Sequence, residues 1–148
     1  MLEQNKNIVS KYIYKMERVQ KVLKDYGKKR KFENIKKFKD SHDFEDRKEE
    51  SDRIRAKYPS RIPVIVEPYD HNVPMIDRKK FLVPDDLSFA NFMYVIRKRI
   101  QLNNEISLYL FVNGKLMNSG NLLSSIYDIY KDKDGFLYVV YSTEATFG

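Results

Sequence analysis

The chain ends Ala145-Thr146-Phe147-Gly148, placing a carboxylate on a residue with no side chain. A terminal glycine lets an extended tail thread a narrow enzyme channel and leaves its acyl carbon unhindered. Other reactive groups are scarce. There is no cysteine, hence no disulfide framework, thiolate zinc site or thiol nucleophile. The two histidines, His42 and His71, are too few for a histidine-rich metal centre, and no metal or cofactor is expected. Asp40-Ser41-His42-Asp43 contains the residue types of a hydrolase triad. Sequential neighbours seldom converge in that geometry, and no base–nucleophile frame surrounds them. A solvated helix start is the expected role, and the chain is not expected to be an enzyme.

The elements that must present these groups fit a chain of 148 residues, 42% hydrophobic and 14% aromatic. That is one domain with at most an appendage, able to fill a core. No apolar run approaches the roughly 20 residues that span a bilayer, and MLEQNKN does not lead into a signal-peptide core. A soluble, cytoplasmic protein is the expectation.

Charge is uneven. Residues 1–39 hold 13 of the 28 Lys+Arg but four of the 21 Asp+Glu, a net of +9. Residues 40–148 hold the other 15 basic and 17 acidic residues, a net of −2. A near-neutral body thus carries a basic arm, which seeks polyanions: acidic lipid, nucleic acid or an acidic protein surface. Within the arm Ile8/Val9, Tyr12/Ile13, Met16, Val19, Leu23 and Tyr26 recur at helical steps, with Lys11, Lys15, Arg18, Lys21 and Lys24 on or beside the polar side. Gly27 is a stop, and residues 28–31 place cations at the helix's negative end. Docking on protein, within or between molecules, competes with an anionic membrane surface.

Residues 43–57 read as a helix with Asp43 as cap, ended by Tyr58-Pro59. Residues 62–67 form a β-branched strand in which Pro63 is confined to an edge or strand start. A loop over 68–77 precedes a second strand, 79–83, closed by Pro84. Ser88 caps a helix reaching Gln101. Residues 107–112 run into Asn113-Gly114, a hairpin signal, with return strand 115–117. A short helix over 122–130, a turn at Asp134-Gly135 and the strongly apolar strand 136–141 complete the order. The continuous apolar character of that last strand suits a central position. Two strands, a long helix, then later strands specify an α+β sheet with the helix across one face, the β-grasp order.

Several strings carry a closer likeness: residues 54–67 (IRAKYPSRIPVIVE), Asp77-Arg78-Lys79-Lys80-Phe81-Leu82-Val83-Pro84, Ile96-Arg97-Lys98-Arg99-Ile100, Leu110-Phe111-Val112-Asn113, and Tyr138 through Phe147-Gly148. In this order and spacing they resemble the ubiquitin-like autophagy modifiers of GABARAP type, which are conjugated to phosphatidylethanolamine. The likeness runs from about Lys37 to Gly148. It implies a β-grasp body with two additional N-terminal helices (37–148, with a flexible tail over 142–148), to which residues 1–36 add a basic amphipathic helical extension.

The resemblance also implies a function. Gly148 would be adenylated, passed as a thioester between activating and carrier enzymes, and joined to a lipid amine, after a processing protease where a precursor requires one. Cargo receptors bearing aromatic-x-x-aliphatic peptides would add a strand beside the second strand. One pocket would be lined by Glu50, Ile54, Pro63, Ile65, Lys80, Leu82 and Phe136, the other by Phe81, Val83, Pro84, Leu87, Phe92 and Val95. Arg61, Lys79 and Arg99, with Lys80, would meet acidic residues flanking the peptide. Alternation along the strand places Lys80 and Leu82 on one side, Phe81 and Val83 on the other; each of Ile54, Ile65, Leu82 and Phe92 also reads as plain core. Phe32-Glu33-Asn34-Ile35 shares the ligand pattern, which four residues achieve by chance. The localisation implied is cytoplasmic, and on autophagosome or vesicle membranes when lipidated. A non-conjugated membrane or microtubule adaptor using the basic helix, and weak charge-driven RNA binding, are the alternatives.

Overall fold

The computed structural model describes residues 36–70 and 72–143. The extension with its apolar stripe, the 32–35 motif, His71 and Gly148 lie outside the described residues.

The described chain opens with a single turn, α1 (Phe38–Ser41). Asp40 Oδ2 accepts the Lys37 N–H at 3.0 Å, and Glu67 Oε2 accepts the Phe38 N–H at 2.8 Å, fastening this turn to the sheet. Asp43 starts α2 (Phe44–Lys57), its Oδ1 accepting the Asp46 N–H at 2.9 Å, which satisfies one of the orphan donors of the first turn. The triad-like letters are spent here. His42 stacks on Phe38 with ring centroids 4.4 Å apart, and its Nδ1 lies 3.1 Å from Phe38 O. Ser41 Oγ donates to the Lys37 carbonyl at 3.5 Å.

Five strands follow: β1 (Arg61–Pro68), β2 (Lys80–Pro84), β3 (Tyr109–Val112), β4 (Lys115–Leu116) and β5 (Leu137–Ser142), in the spatial order β2-β1-β5-β3-β4. β1 and β5 are parallel; the other neighbours are antiparallel. The apolar last strand is central, as its composition requires. It runs one residue past the sequence expectation: Ser142, expected to open the tail, pairs with Tyr109 and is 4% exposed. Pro63 sits in the interior strand β1, yet it precedes the first parallel pair, Val64 with Leu137, so its missing N–H breaks no ladder bond there. At the β3–β4 hairpin Asn113 and Gly114 have φ of 51° and 70°, the two positive values that a type I′ turn demands.

Helix α3 (Phe89–Arg99), capped by Ser88 Oγ on the Asn91 N–H, crosses one face of the sheet. Phe89, Phe92 and Ile96 enter a large core with Val64, Val66, Phe81, Val83, Leu110, Val139 and Tyr141. A second helix, α4 (Leu123–Tyr130), adds Leu123, Ile126 and Tyr127. On the opposite face Phe38, Ile65 and Phe136 form a smaller cluster, with Ile54 and Tyr138 packed against it. None of the described helices is long and apolar enough to cross a membrane.

Candidate functional site

β2 occupies one end of the strand order, so one of its margins carries no partner strand among the described residues. The ladder decides which groups that margin offers. Val66 N–H donates to Lys79 O at 2.8 Å and Asp85 N–H to Ser60 O at 3.0 Å. In the β1–β2 register, bonding pairs alternate with non-bonding ones, so Phe81 and Val83 turn their peptide groups to β1. Lys80 and Leu82 turn theirs outward. The margin therefore presents the N–H and C=O of these two residues, the groups that a further strand would pair. Arg78 Nε donates to the outward Lys80 carbonyl at 2.9 Å, so an arriving strand must displace it.

Side chains leave this margin toward two different apolar clusters, because successive residues of a strand face opposite ways. On the α2 side, Ile65 and Phe136 are wholly buried, Ile54 is half-buried against them, and Leu82 is 37% exposed. Lys80 Nζ pairs with Glu50 Oε1 and lies 5.6 Å from the centre of the Phe38 ring. Of the seven residues expected for the first pocket, Ile65, Phe136 and Pro63 are buried on this side, and Leu82, Lys80, Glu50 and Ile54 are exposed or half-buried on or beside it. On the α3 side, Phe81, Val83 and Phe92 are buried, Phe81 and Phe92 meeting edge-to-face at 6.5 Å. Leu87 packs on the same core and Val95 is 40% exposed, with Pro84 half-buried between.

Cations border the margin. Arg61 is exposed, and Lys79 Nζ reaches the Lys36 carbonyl. Arg99 forms a solvent-exposed pair with Asp77 at 3.6 Å.

A buried polar network holds α2 over its side of the sheet. Arg47 Nε donates to Asp134 Oδ2 at 2.9 Å and its Nη1 to His42 O at 2.7 Å. Tyr138 Oη donates to Asp134 Oδ2, Phe136 N–H to Asp134 Oδ1, and Ser51 Oγ to Asp134 O. Burial opposes the Arg47 charge, but the Asp134 hydrogen bond and neighbouring negative charge outweigh it and hold the guanidinium above its ordinary value. Burial, then the Asp134 carboxylate, push the Tyr138 hydroxyl well up. Burial also disfavours the Asp132 charge, yet hydrogen bonds from Lys39 and the Asp134 N–H win, and its carboxyl lies below the usual range. Among the described residues no group of three or more potential ligands is placed to hold a metal ion.

The family profile described as "Autophagy protein Atg8 ubiquitin like" matches residues 46–148. The chain belongs to the Atg8 family. It is 56% identical over 112 residues to Autophagy-related protein 8e of Arabidopsis thaliana, covering 75% of this chain and 92% of the relative. Over 112 residues it is 55% identical to Autophagy-related protein 8 of Mycosarcoma maydis, covering 75% and 95%. Among solved structures, Plasmodium falciparum Atg8 in complex with a Plasmodium falciparum Atg3 peptide superposes with a TM-score of 0.72 at 38% identity, covering 76% of this chain and all of that one. Trypanosoma brucei ATG8 gives 0.70 at 44%, covering 78% and 100%. The ubiquitin-like β-grasp expected from the sequence is thereby shown.

Four contributors escape sequence reading. Phe38 completes the α2-side cluster, meeting Phe136 edge-to-face at 5.3 Å, but it is a lone aromatic among lysines. Arg47 and Asp134 are 87 positions apart, and nothing local couples them. Arg78 stands inside the quoted Asp77–Pro84 string, where only its position beside the strand margin hints at its role.

Proposed function

We propose that this Atg8-family chain is a ubiquitin-like modifier of autophagy. It is joined through Gly148 to phosphatidylethanolamine on autophagosomal membranes, and it recruits receptors carrying aromatic-x-x-aliphatic peptides to the β2 margin. The observation that carries this reading is the outward pair of peptide groups at Lys80 and Leu82, set between two apolar clusters on opposite sides of one strand. An extended peptide paired there sends alternate side chains to opposite sides, so residues three apart fall to different clusters, as such a motif requires. The Plasmodium falciparum relative, solved with an Atg3 peptide, supports peptide capture by this fold. The activating, carrier and processing enzymes supply the cysteines of the scheme, which suits a cysteine-free modifier.

The test is reconstitution with activating and carrier enzymes, ATP and phosphatidylethanolamine liposomes. A lipid adduct that forms with the wild type and disappears in Gly148→Ala is the expected result. No adduct, or one that survives the substitution, removes the conjugation reading. Titration of a labelled acidic Trp-x-x-Leu peptide tests the recruiting half separately.

A further inference from the structure

We propose that the sheet face carrying Tyr109, Phe111, Val140 and Leu116 is the docking site for residues 8–26 of the same chain. The register supplies the face. Glu67 pairs with Val140, Val140 with Phe111, and Phe111 with Leu116, so these four form one cross-strand row on the side opposite α3. The helices described on that side serve only the near end of it: their apolar contacts are with Ile65, Phe136 and Tyr138. Neither apolar cluster of the described residues takes in Tyr109, Val140 or Leu116. Tyr109 and Val140 are half-buried, and Leu116 at the far end is 55% exposed.

The position where the described chain begins selects the occupant. The Phe38 N–H is held by Glu67, the first member of the row, and the Lys36 carbonyl by Lys79. The described chain therefore begins at the edge of this face. The sequence of residues 1–35 offers Tyr12, Met16, Val19, Leu23 and Tyr26 along one stripe, with Lys21 opposite. Reach is ample: from β1 to β4 is three strand spacings, about 14 Å. The linking residues 27–35 span up to about 30 Å, and a helix over 8–26 is about 28 Å long. An apolar stripe laid on an apolar row, with its lysines outward, satisfies both surfaces.

The absence of cysteine makes the test direct. In the full chain, Leu116→Cys is combined in turn with Tyr12→Cys, Met16→Cys, Val19→Cys or Leu23→Cys, and with Lys21→Cys as the polar-side control. At least one stripe pair is expected to close an intramolecular disulfide about tenfold faster than the control pair. Equal rates, or only intermolecular products, overturn the proposal, the latter in favour of a second copy. Hydrogen exchange reads the same contact without engineered thiols. The double variant Met16→Glu/Val19→Glu is expected to raise exchange over residues 109–116 about tenfold. Unchanged exchange, with loss of binding to anionic phosphatidylserine vesicles instead, assigns the stripe to membrane and overturns docking.

Discussion

Arg47 on α2 and Asp134 in the turn before β5 form a buried ion pair at 2.9 Å, their side chains 10% and 0% exposed. The pair locks the N-terminal helices to the central strand and so fixes one wall of the proposed peptide site. Removing one partner strands the other's charge in the interior, which costs about 3–5 kcal/mol. Arg47→Met is therefore expected to lower the urea midpoint severely. Lys39→Ala, which breaks the exposed Lys39–Asp132 pair, is expected to cost under about 1 kcal/mol. Urea unfolding of the three full-length chains checks the contrast. Equal losses would show that the buried pair has no special weight.

Gly135 holds φ at 90° directly over Ser51. A Cβ there would overlap Ser51 Oγ and stand 3.0 Å from Ser51 Cβ, and an L side chain disfavours that backbone besides. Gly135→Ala is expected to destabilise by about 1–3 kcal/mol. Because Ser51 Oγ is the nearer obstacle, Ser51→Ala should lessen the damage, making the double variant less unstable than the two losses added. Strict additivity in thermal or urea unfolding would place the strain in the backbone alone.

Much of this architecture was legible because local chemistry announces it. Asp43 and Ser88 are side chains that cap, Asn113-Gly114 tolerates two positive φ values, and 137–141 is apolar enough to demand the sheet's centre. Alternation alone assigned Lys80 and Leu82 to one side of β2 and Phe81 and Val83 to the other. What alternation lacks is the ladder phase. That the outward peptide groups belong to Lys80 and Leu82 depends on Val66 bonding to Lys79, a contact between strands. The Arg47–Asp134 network and the place of Phe38 likewise arise from chain closure across the sheet, which no window of sequence contains. The residues expected to line the pockets divide accordingly: Ile65, Phe92 and Phe136 are zero per cent exposed, whereas Leu82 and Val95 are accessible.

That division predicts which substitutions separate binding from folding. Leu82 is 37% exposed on the margin strand, and Val95 40% exposed on α3. Leu82→Ala and Val95→Ala are each expected to weaken an acidic Trp-x-x-Leu peptide about tenfold while leaving the unfolding midpoint nearly unchanged. Phe136→Ala, by contrast, empties the buried floor and should cost about 3–5 kcal/mol of stability. Fluorescence anisotropy with the labelled peptide, beside thermal unfolding of each variant, makes the comparison. Wild-type affinity in both rim variants would move the peptide site away from β2.

The buried tyrosines set an alkaline limit on the fold. Tyr141 Oη donates to Pro74 O at 2.6 Å, tying the loop after β1 to β5, and burial pushes its hydroxyl up to about 12. An unfolded tyrosine ionises near 10. The folded state thus favours the protonated form, and its contribution is fully present below about pH 10. Between about 10 and 12 the unfolded chain ionises while the native one holds its proton, so stability falls across that window. Tyr138 and Tyr127 are also raised, chiefly by burial, and steepen the loss. Urea midpoints measured from pH 8 to 12 should hold steady to about 10 and then drop. Absorbance at 295 nm should show these phenols ionising late, together with unfolding. Tyr141→Phe removes one ionisable group and is expected to flatten the drop while losing the Pro74 tie at neutral pH. A midpoint that stays level through pH 12 in the wild type would mean that these hydroxyls ionise as freely in the fold as in water.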